Sequence, residues 1–373
     1  MGNQTALSKA FPRITKSYCI YHNDMDGKSA AYMVHKEIIE KQWGFEDYPA
    51  RYQKYNYDKL SIGCIDKNTV VYIVDCAFTE ETVNMLADIL EAAGLVVWLD
   101  HHQSSVDLIT SREIAKEVDN FIWYVDTNAC GALLAYAFST VDEKVYYELL
   151  KNKNAMSMGF HYQGFMNSTI SIDVANETEV VFSNDLMIPP WLCLVDDYDR
   201  WQNRYPDKSN FFILGCELEN NNISMSVSAN GMRRVVFNSF WGKMTNDPSS
   251  ITRYINNGSV VKNYLDNRYT REFHDCFEWY SSEAGCTILC KNATGNSWNF
   301  CDAIPKYKAV CLYHYNGESG KWIYSVYSAD DSDFNCAKFC EKYGGGGHPH
   351  AAGFSLDYVL FDKPDTVSRP IDN

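Results

Sequence analysis

The chain has 373 residues, enough for two domains, and its 46% hydrophobic content supplies an ordinary globular core. Its formal charge of −15 speaks against a long basic track gripping duplex DNA, yet it leaves room for a small phosphorylated ligand, because bound divalent metals would invert the potential locally. The first sixteen residues hold no apolar signal core and no apolar run reaches membrane-spanning length, so a cytoplasmic protein without a membrane partner is expected.

Residues 17–22, Ser-Tyr-Cys-Ile-Tyr-His, read as a short buried strand. A turn at Asp26-Gly27 leads into a helix to about Gln42, with Ala30, Ala31, Val34 and Ile38 inward. Residues 70–74 form a second apolar strand. Thr79 then offers an N-cap with Glu80 and Glu81 in the first turn, followed by the stripe Val83, Leu86, Ala87 and Leu90, and Gly94 as a stop. Residues 95–99 make a third strand, and this strand–helix–strand rhythm predicts a parallel α/β sheet. Residues 128–139 and 144–152 read as helices, and 155–190 as a hairpin or insertion. The run Trp191 to Val195 precedes Asp196-Asp197-Tyr198-Asp199-Arg200-Trp201, and 220–230 reads as loop. An amphipathic helix over 257–280 would link two domains. Strands follow over 286–290, 308–315 and 321–328, then a helix near 333–343 and the glycine loop at 344–348. The thirteen cysteines form no CxxC pair, and Cys286/Cys290 and Cys336/Cys340 have no partners at zinc-finger spacing, so free thiols are expected.

The acids fall at a telling place. Asp24 and Asp26 follow the first strand, Asp75 ends the second, and Asp100 ends the third beside His101 and His102. In an open parallel sheet the carboxyl ends of strands share one edge, where ligands bind. Two carboxylates about 4 Å apart repel by roughly 4 kcal/mol at an effective dielectric of 20. The cluster therefore calls for cations or shared protons, and oxygen with imidazole donors suits Mn²⁺ or Mg²⁺ better than thiolate-loving metals.

These residues resemble the motifs of the DHH phosphoesterase superfamily. His22-Asn23-Asp24-Met25-Asp26-Gly27 looks like its first motif, Val74-Asp75 its second, Asp100-His101-His102 its third and Asp197 its fourth. Gly344 to Phe354, Gly-Gly-Gly-Gly-His-Pro-His-Ala-Ala-Gly-Phe, is similar to the signature of the DHH-associated C-terminal domain. Five motifs in the right order span most of the chain, in particular as in the oligoribonuclease (nano-RNase)-like members.

The resemblance implies an α/β protein of two domains. A parallel-sheet metal domain (17–204) would be joined by a helical linker region (205–283) to a smaller mixed α/β substrate domain (284–360). It implies two divalent ions, Mn²⁺ first and Mg²⁺ or Co²⁺ as substitutes, bridged by Asp75. Asp24 would serve one ion; Asp26, His101 and Asp197 would serve the other. His102 would meet the phosphate or the leaving oxygen, and Asp100 would orient a histidine. His22 stands two residues before Asp24 where relatives place a histidine four before, so it is either a ligand or a partner of one. Asp196 and Asp199 compete with Asp197 for the fourth position. Gly345, Gly346, Gly347 and His348 would cradle a substrate phosphate. Tyr327 stands where many relatives carry an arginine; it can hydrogen-bond or stack but lacks the charge.

The implied activity is hydrolysis of short oligonucleotides to mononucleotides. A cyclic-dinucleotide or nucleotide-bisphosphate phosphoesterase is the rival enzyme, and a nucleotide-sequestering protein the rival of another class. The implied partner is a short oligonucleotide or dinucleotide, not long duplex DNA, and the resemblance leaves a homodimer open.

Overall fold

The computed structural model describes residues 11–36, 38, 50–55, 60, 62–78, 82–111, 118, 120–140, 156–161, 169–174, 178–182, 188–227, 233–272, 275–294, 307–329, 332–361 and 369–370. The chain divides into two compact units, Met1–Ser259 and Val260–Asn373.

The first unit is built on β1 (Lys16–His22), α1 (Met25–Met33), β2 (Ala50–Tyr55), β3 (Thr69–Val74), α2 (Val83–Ala92), β4 (Leu95–Asp100), α3 (Gln103–Ser111), β5 (Phe121–Val125) and α4 (Gly131–Thr140). The strands form a parallel sheet in the order β2-β1-β3-β4-β5. Every residue of β3 and β4 is buried, as expected of parallel strands covered on both faces. One face packs Val74, Leu99 and Tyr124 against α1, α4 and α5 (Pro190–Asp199). The other packs Val71, Ile73 and Trp98 against α2 and Leu108 of α3.

Between α4 and α5 lies the antiparallel sheet β6 (Met156–His161), β7 (Thr169–Val174) and β8 (Thr178–Phe182), where a hairpin or insertion is expected. After α5 come α6 (Lys208–Glu217), the ribbon β9 (Ile223–Val227) and β10 (Arg233–Phe237), α7 (Ser239–Asn246) and α8 (Pro248–Glu272). The division between units falls within α8.

The second unit carries a seven-stranded mixed sheet of β11 (Phe277–Ser281), β12 (Cys286–Asn292), β13 (Val310–Asn316), β14 (Lys321–Tyr327), β15 (Gly346–Gly347), β16 (Ala351–Leu356) and β17 (Arg369–Pro370). β12 and β13 run parallel and the other pairs antiparallel. The helix α9 (Cys336–Glu341) contributes Phe339 and Cys340 to its core. Tyr324 and Tyr343 stack on Phe354 at 4.6 and 4.5 Å, so these rings are core rather than a ligand platform.

The molecule is thus the expected two-part α/β protein, with local departures. The α-helical part of α1 ends at Met33, and residues 39–42 of its expected extent lie outside the described residues, as do Thr79, Glu80, Glu81 and 144–152. At α2, Thr82 occupies the N-cap position without a side-chain bond. Ile89 rather than the exposed Ala87 completes its buried stripe. Residues 223–227, within the expected loop 220–230, are strand: they pair antiparallel with β10, the next strand in the chain. The helix placed at 257–280 spans 248–272 instead. Pro248 fits the first helical position and the Asp247 carboxylate accepts from Ser249 N at 3.0 Å, while 277–281 is strand. All described cysteines are free thiols. No helix among the described residues is long and apolar enough to cross a membrane.

Candidate metal centre

Each acid of the first unit is presented by a distinct local device. Asp24 leaves β1 with extended backbone and caps α1, its Oδ1 accepting from Gly27 N at 2.8 Å. Asp26 follows in the first helical turn and is buried. Asp75 ends β3 with φ at +53°, a left-handed conformation uncommon outside glycine, while its N–H bonds Leu99 O at 2.9 Å. Asp100 ends β4, and its Oδ1 lies 2.8 Å from His102 Nδ1. Asp100 Oδ2 also accepts from Ser105 Oγ.

These devices bring the donors together at one sheet edge. His22 Nδ1 lies 2.8 Å from Asp24 Oδ2 and 3.8 Å from Asp75 Oδ2. His101 Nε2 lies 3.1 Å from Asp75 Oδ1, 3.3 Å from Asp199 Oδ2 and 3.8 Å from Asp26 Oδ2. Within the first unit, among the described residues, three sets of donor atoms each fall within 4.8 Å: His22, Asp24 and Asp75; Asp26, Asp75 and His101; Asp75, Asp100 and His102. Asp75 is common to all three. Asp75 Oδ2 and Asp199 Oδ2 are buried and accept no hydrogen bond. Orphaned anionic oxygens beside imidazole nitrogens are the donor chemistry of a hard or borderline divalent cation, so these residues fit one.

The electrostatics carry the same message. Burial, then the charges of Asp26, Asp24, Asp199 and Asp100, push the Asp75 carboxyl well above the usual carboxylate range. Burial and Asp199 raise Asp26 to about 7, and burial and Asp24 raise Asp199 to about 7. Burial opposes ionisation of Asp24 and Asp100 as well, but His22 holds Asp24 below the usual range and His102 holds Asp100 at about 2. His101 is pushed down by burial and by His102, toward the neutral form that ligates metal. Burial works against charge on His102, yet Asp100 outweighs it and raises the imidazole to about 9.

Asp197, the expected fourth-motif acid, has both oxygens in hydrogen bonds with the loop after α5: its Oδ1 accepts from Arg204 N at 2.7 Å and its Oδ2 from Tyr205 N at 3.3 Å. Asp196 accepts from Cys130 N at 2.8 Å and from Arg200 Nε and Nη2 at 2.7 and 3.0 Å. Asp199, the last residue of α5, is the one that reaches His101. The helical spacing carries the signal: at about 100° per residue Asp197 stands on the side of α5 away from Asp199, while Asp196, three positions before Asp199, lies nearer its face.

In the second unit, Gly346 and Gly347 pair with Gly353 and Ala352 in a hairpin closed by His348 N to Ala351 O at 2.7 Å. A β carbon on Gly345 would lie 2.0 Å from Gly353 O, and Gly347 has φ at +144°, so both glycines are required by the hairpin itself. Tyr327 ends β14, half-buried, in register between Val310 and Ala351.

No family model matches the sequence and no curated protein does. Among solved structures it is similar to a pGpG-specific phosphodiesterase, PggH, from Vibrio cholerae, at 14% identity and TM-score 0.41, over 91% of this chain and 93% of that one. It is similar to an exopolyphosphatase-related protein from Bacteroides fragilis at 12% identity and TM-score 0.45, over 95% and 91%. RecJ in complex with Mn²⁺ from Thermus thermophilus matches at 15% identity and TM-score 0.43, over 94% of this chain and 51% of that one. At these identities and scores the likenesses carry neither substrate nor reaction across.

Two outcomes are expected. Asp199→Ala weakens Mn²⁺ binding by roughly tenfold or more. Asp197→Ala leaves it intact and costs about 1 to 3 kcal/mol of stability through its lost loop bonds; calorimetric titration and denaturant melts of both variants check this, and the reverse pattern restores Asp197 to the centre.

The pH dependence follows from Asp26 and Asp199. Without a cation the folded state keeps protons that the unfolded chain releases. Stability therefore falls as pH rises from about 4, the ordinary carboxylate value, to about 7, the folded value of both acids. Melting temperatures across that window should show this slope, and saturating Mn²⁺ should remove it.

Proposed function

We propose that this protein is a metal-dependent phosphoesterase of the DHH type that hydrolyses phosphodiester bonds in short oligonucleotides. The observation that carries the reading is the sharing of Asp75 by three donor sets at the carboxyl edge of a parallel sheet. Asp75 would hold divalent cations together with His22 and Asp24 on one side and with Asp26, His101 and Asp199 on the other. Cations held there, Mn²⁺ first among them, supply the charge that polarises a phosphoryl oxygen and acidifies a water.

The chain's own residues do the rest. The neutral His101 offers Nε2 toward Asp75. His102, held cationic by Asp100, donates a charged hydrogen bond to a phosphoryl or leaving oxygen. Asp100 fixes the ring through Nδ1 and is itself held by Ser105. Substrate phosphate binding at Gly345 to His348, with Tyr327 stacking or hydrogen-bonding in the absence of an arginine, belongs to the same reading. The net charge of −15 supports a short substrate, since a long polyanion would be repelled outside the cation-loaded site.

Full-length protein with Mn²⁺ would be offered an RNA dimer to pentamer, cyclic dinucleotides, a nucleotide bisphosphate and single-stranded DNA. The expected result is release of mononucleotides from the short RNAs, abolished in Asp75→Ala. Preferred cleavage of a cyclic dinucleotide or bisphosphate would reassign the substrate, and tight binding without hydrolysis of any of them would overturn the enzymatic reading.

A further inference from the structure

The first turn of α4 is built into the acid cluster. Gly131 N donates to Asp26 Oδ2 at 2.7 Å and Ala132 N to Asp26 Oδ1 at 2.8 Å, so both oxygens are gripped by backbone. The same turn is anchored from its other side. Cys130 N donates to Asp196 Oδ1 at 2.8 Å, Arg200 clamps Asp196 with two donors, and Arg200 Nη1 reaches Thr127 O at 3.2 Å. A helix N-terminus with its orphan N–H groups is a natural holder for a carboxylate. A carboxylate has roughly four lone-pair sites, so beyond these two N–H groups and the Cys130 thiol Asp26 keeps room for another partner.

Gly131 is costly by ordinary helix criteria, since glycine weakens a helix relative to alanine. Its backbone does not explain it, because it is not among the described glycines with positive φ. Space does. A β carbon at this position would lie 2.7 Å from Asp75 Cβ, 3.0 Å from Asp26 Oδ2 and 3.2 Å from Asp75 Cα. The first distance is one that non-bonded carbon atoms do not adopt, and relief would have to move Asp75 or α4.

The geometry points to Gly131 as a positioning residue of the metal centre. It lets the α4 turn approach closely enough to hold both oxygens of Asp26 by backbone N–H groups. It also leaves no side chain between Asp26 and Asp75, so the two carboxylates can serve one cation. Asp196 and Arg200 act through it by fixing the turn from behind. The inference rests on the reading of Asp26 and Asp75 as cation ligands.

The test is Mn²⁺ alone, titrated into the full-length protein by calorimetry and followed by electron paramagnetic resonance. The wild-type chain should take up Mn²⁺ with the exchange-coupled signal of a paired site. Gly131→Ala should lose roughly ten- to hundredfold in affinity for part of that metal and show an isolated-ion signal. Its metal-free melting temperature should not fall in proportion, because alanine is the better helix former. Arg200→Lys, which loosens the fork on Asp196 without adding bulk, should weaken binding in the same direction and carries the test if Gly131→Ala does not fold. Wild-type affinity and coupling in these variants would overturn the positioning role while leaving the metal centre standing. A wild-type chain that takes up no Mn²⁺ would overturn both.

Discussion

Four carboxylates press their charge on one buried aspartate. Asp75 is 1% exposed and feels Asp26, Asp24, Asp199 and Asp100 together. In water such a group would scatter; at a buried sheet edge it cannot, because each acid is tied to the backbone that presents it. The repulsion is therefore a standing property of the fold, relieved by protons or by cations. Burial of like charge without compensation is among the most destabilising arrangements a protein can hold. The rest of the first unit can be understood as scaffolding that keeps these groups together despite that cost.

The scaffolding has a consistent form. Asp24 is pinned as a helix cap, Asp26 by the first turn of α4, Asp100 by His102 and Ser105, and Asp196 by Arg200. Asp75 and Asp199 each keep a buried oxygen with no hydrogen bond. Restrained neighbours around unsatisfied anionic atoms are what a preorganised cation site requires, since the ligands need not rearrange when the ion arrives. The histidines divide by environment: His101 is pushed toward neutrality and His102 toward charge, although they are consecutive. One suits a ligand and the other an anion donor.

Much of this was legible from residue order. Apolar runs at 70–74 and 95–99 announce buried parallel strands, and parallel strands place Asp75 and Asp100 at one edge whatever the details between them. The acid of the fourth motif was not legible, because Asp196, Asp197 and Asp199 are alike in type and only the end of α5 decides which faces His101. Gly131 was missed for a different reason. A glycine starting a helix looks like a weak start signal, and its meaning lies in Asp26 and Asp75, both far away in sequence. The glycine run at 344–347 was legible as a special backbone, but the hairpin itself requires Gly345 and Gly347 before any ligand is considered.

The most direct measurement of the central claim is anomalous scattering from crystals grown with Mn²⁺. The account predicts two peaks flanking the Asp75 carboxylate, one beside His22 and Asp24 and the other beside Asp26, His101 and Asp199. No peak within coordination distance of Asp75, with the protein fully ordered there, would contradict it.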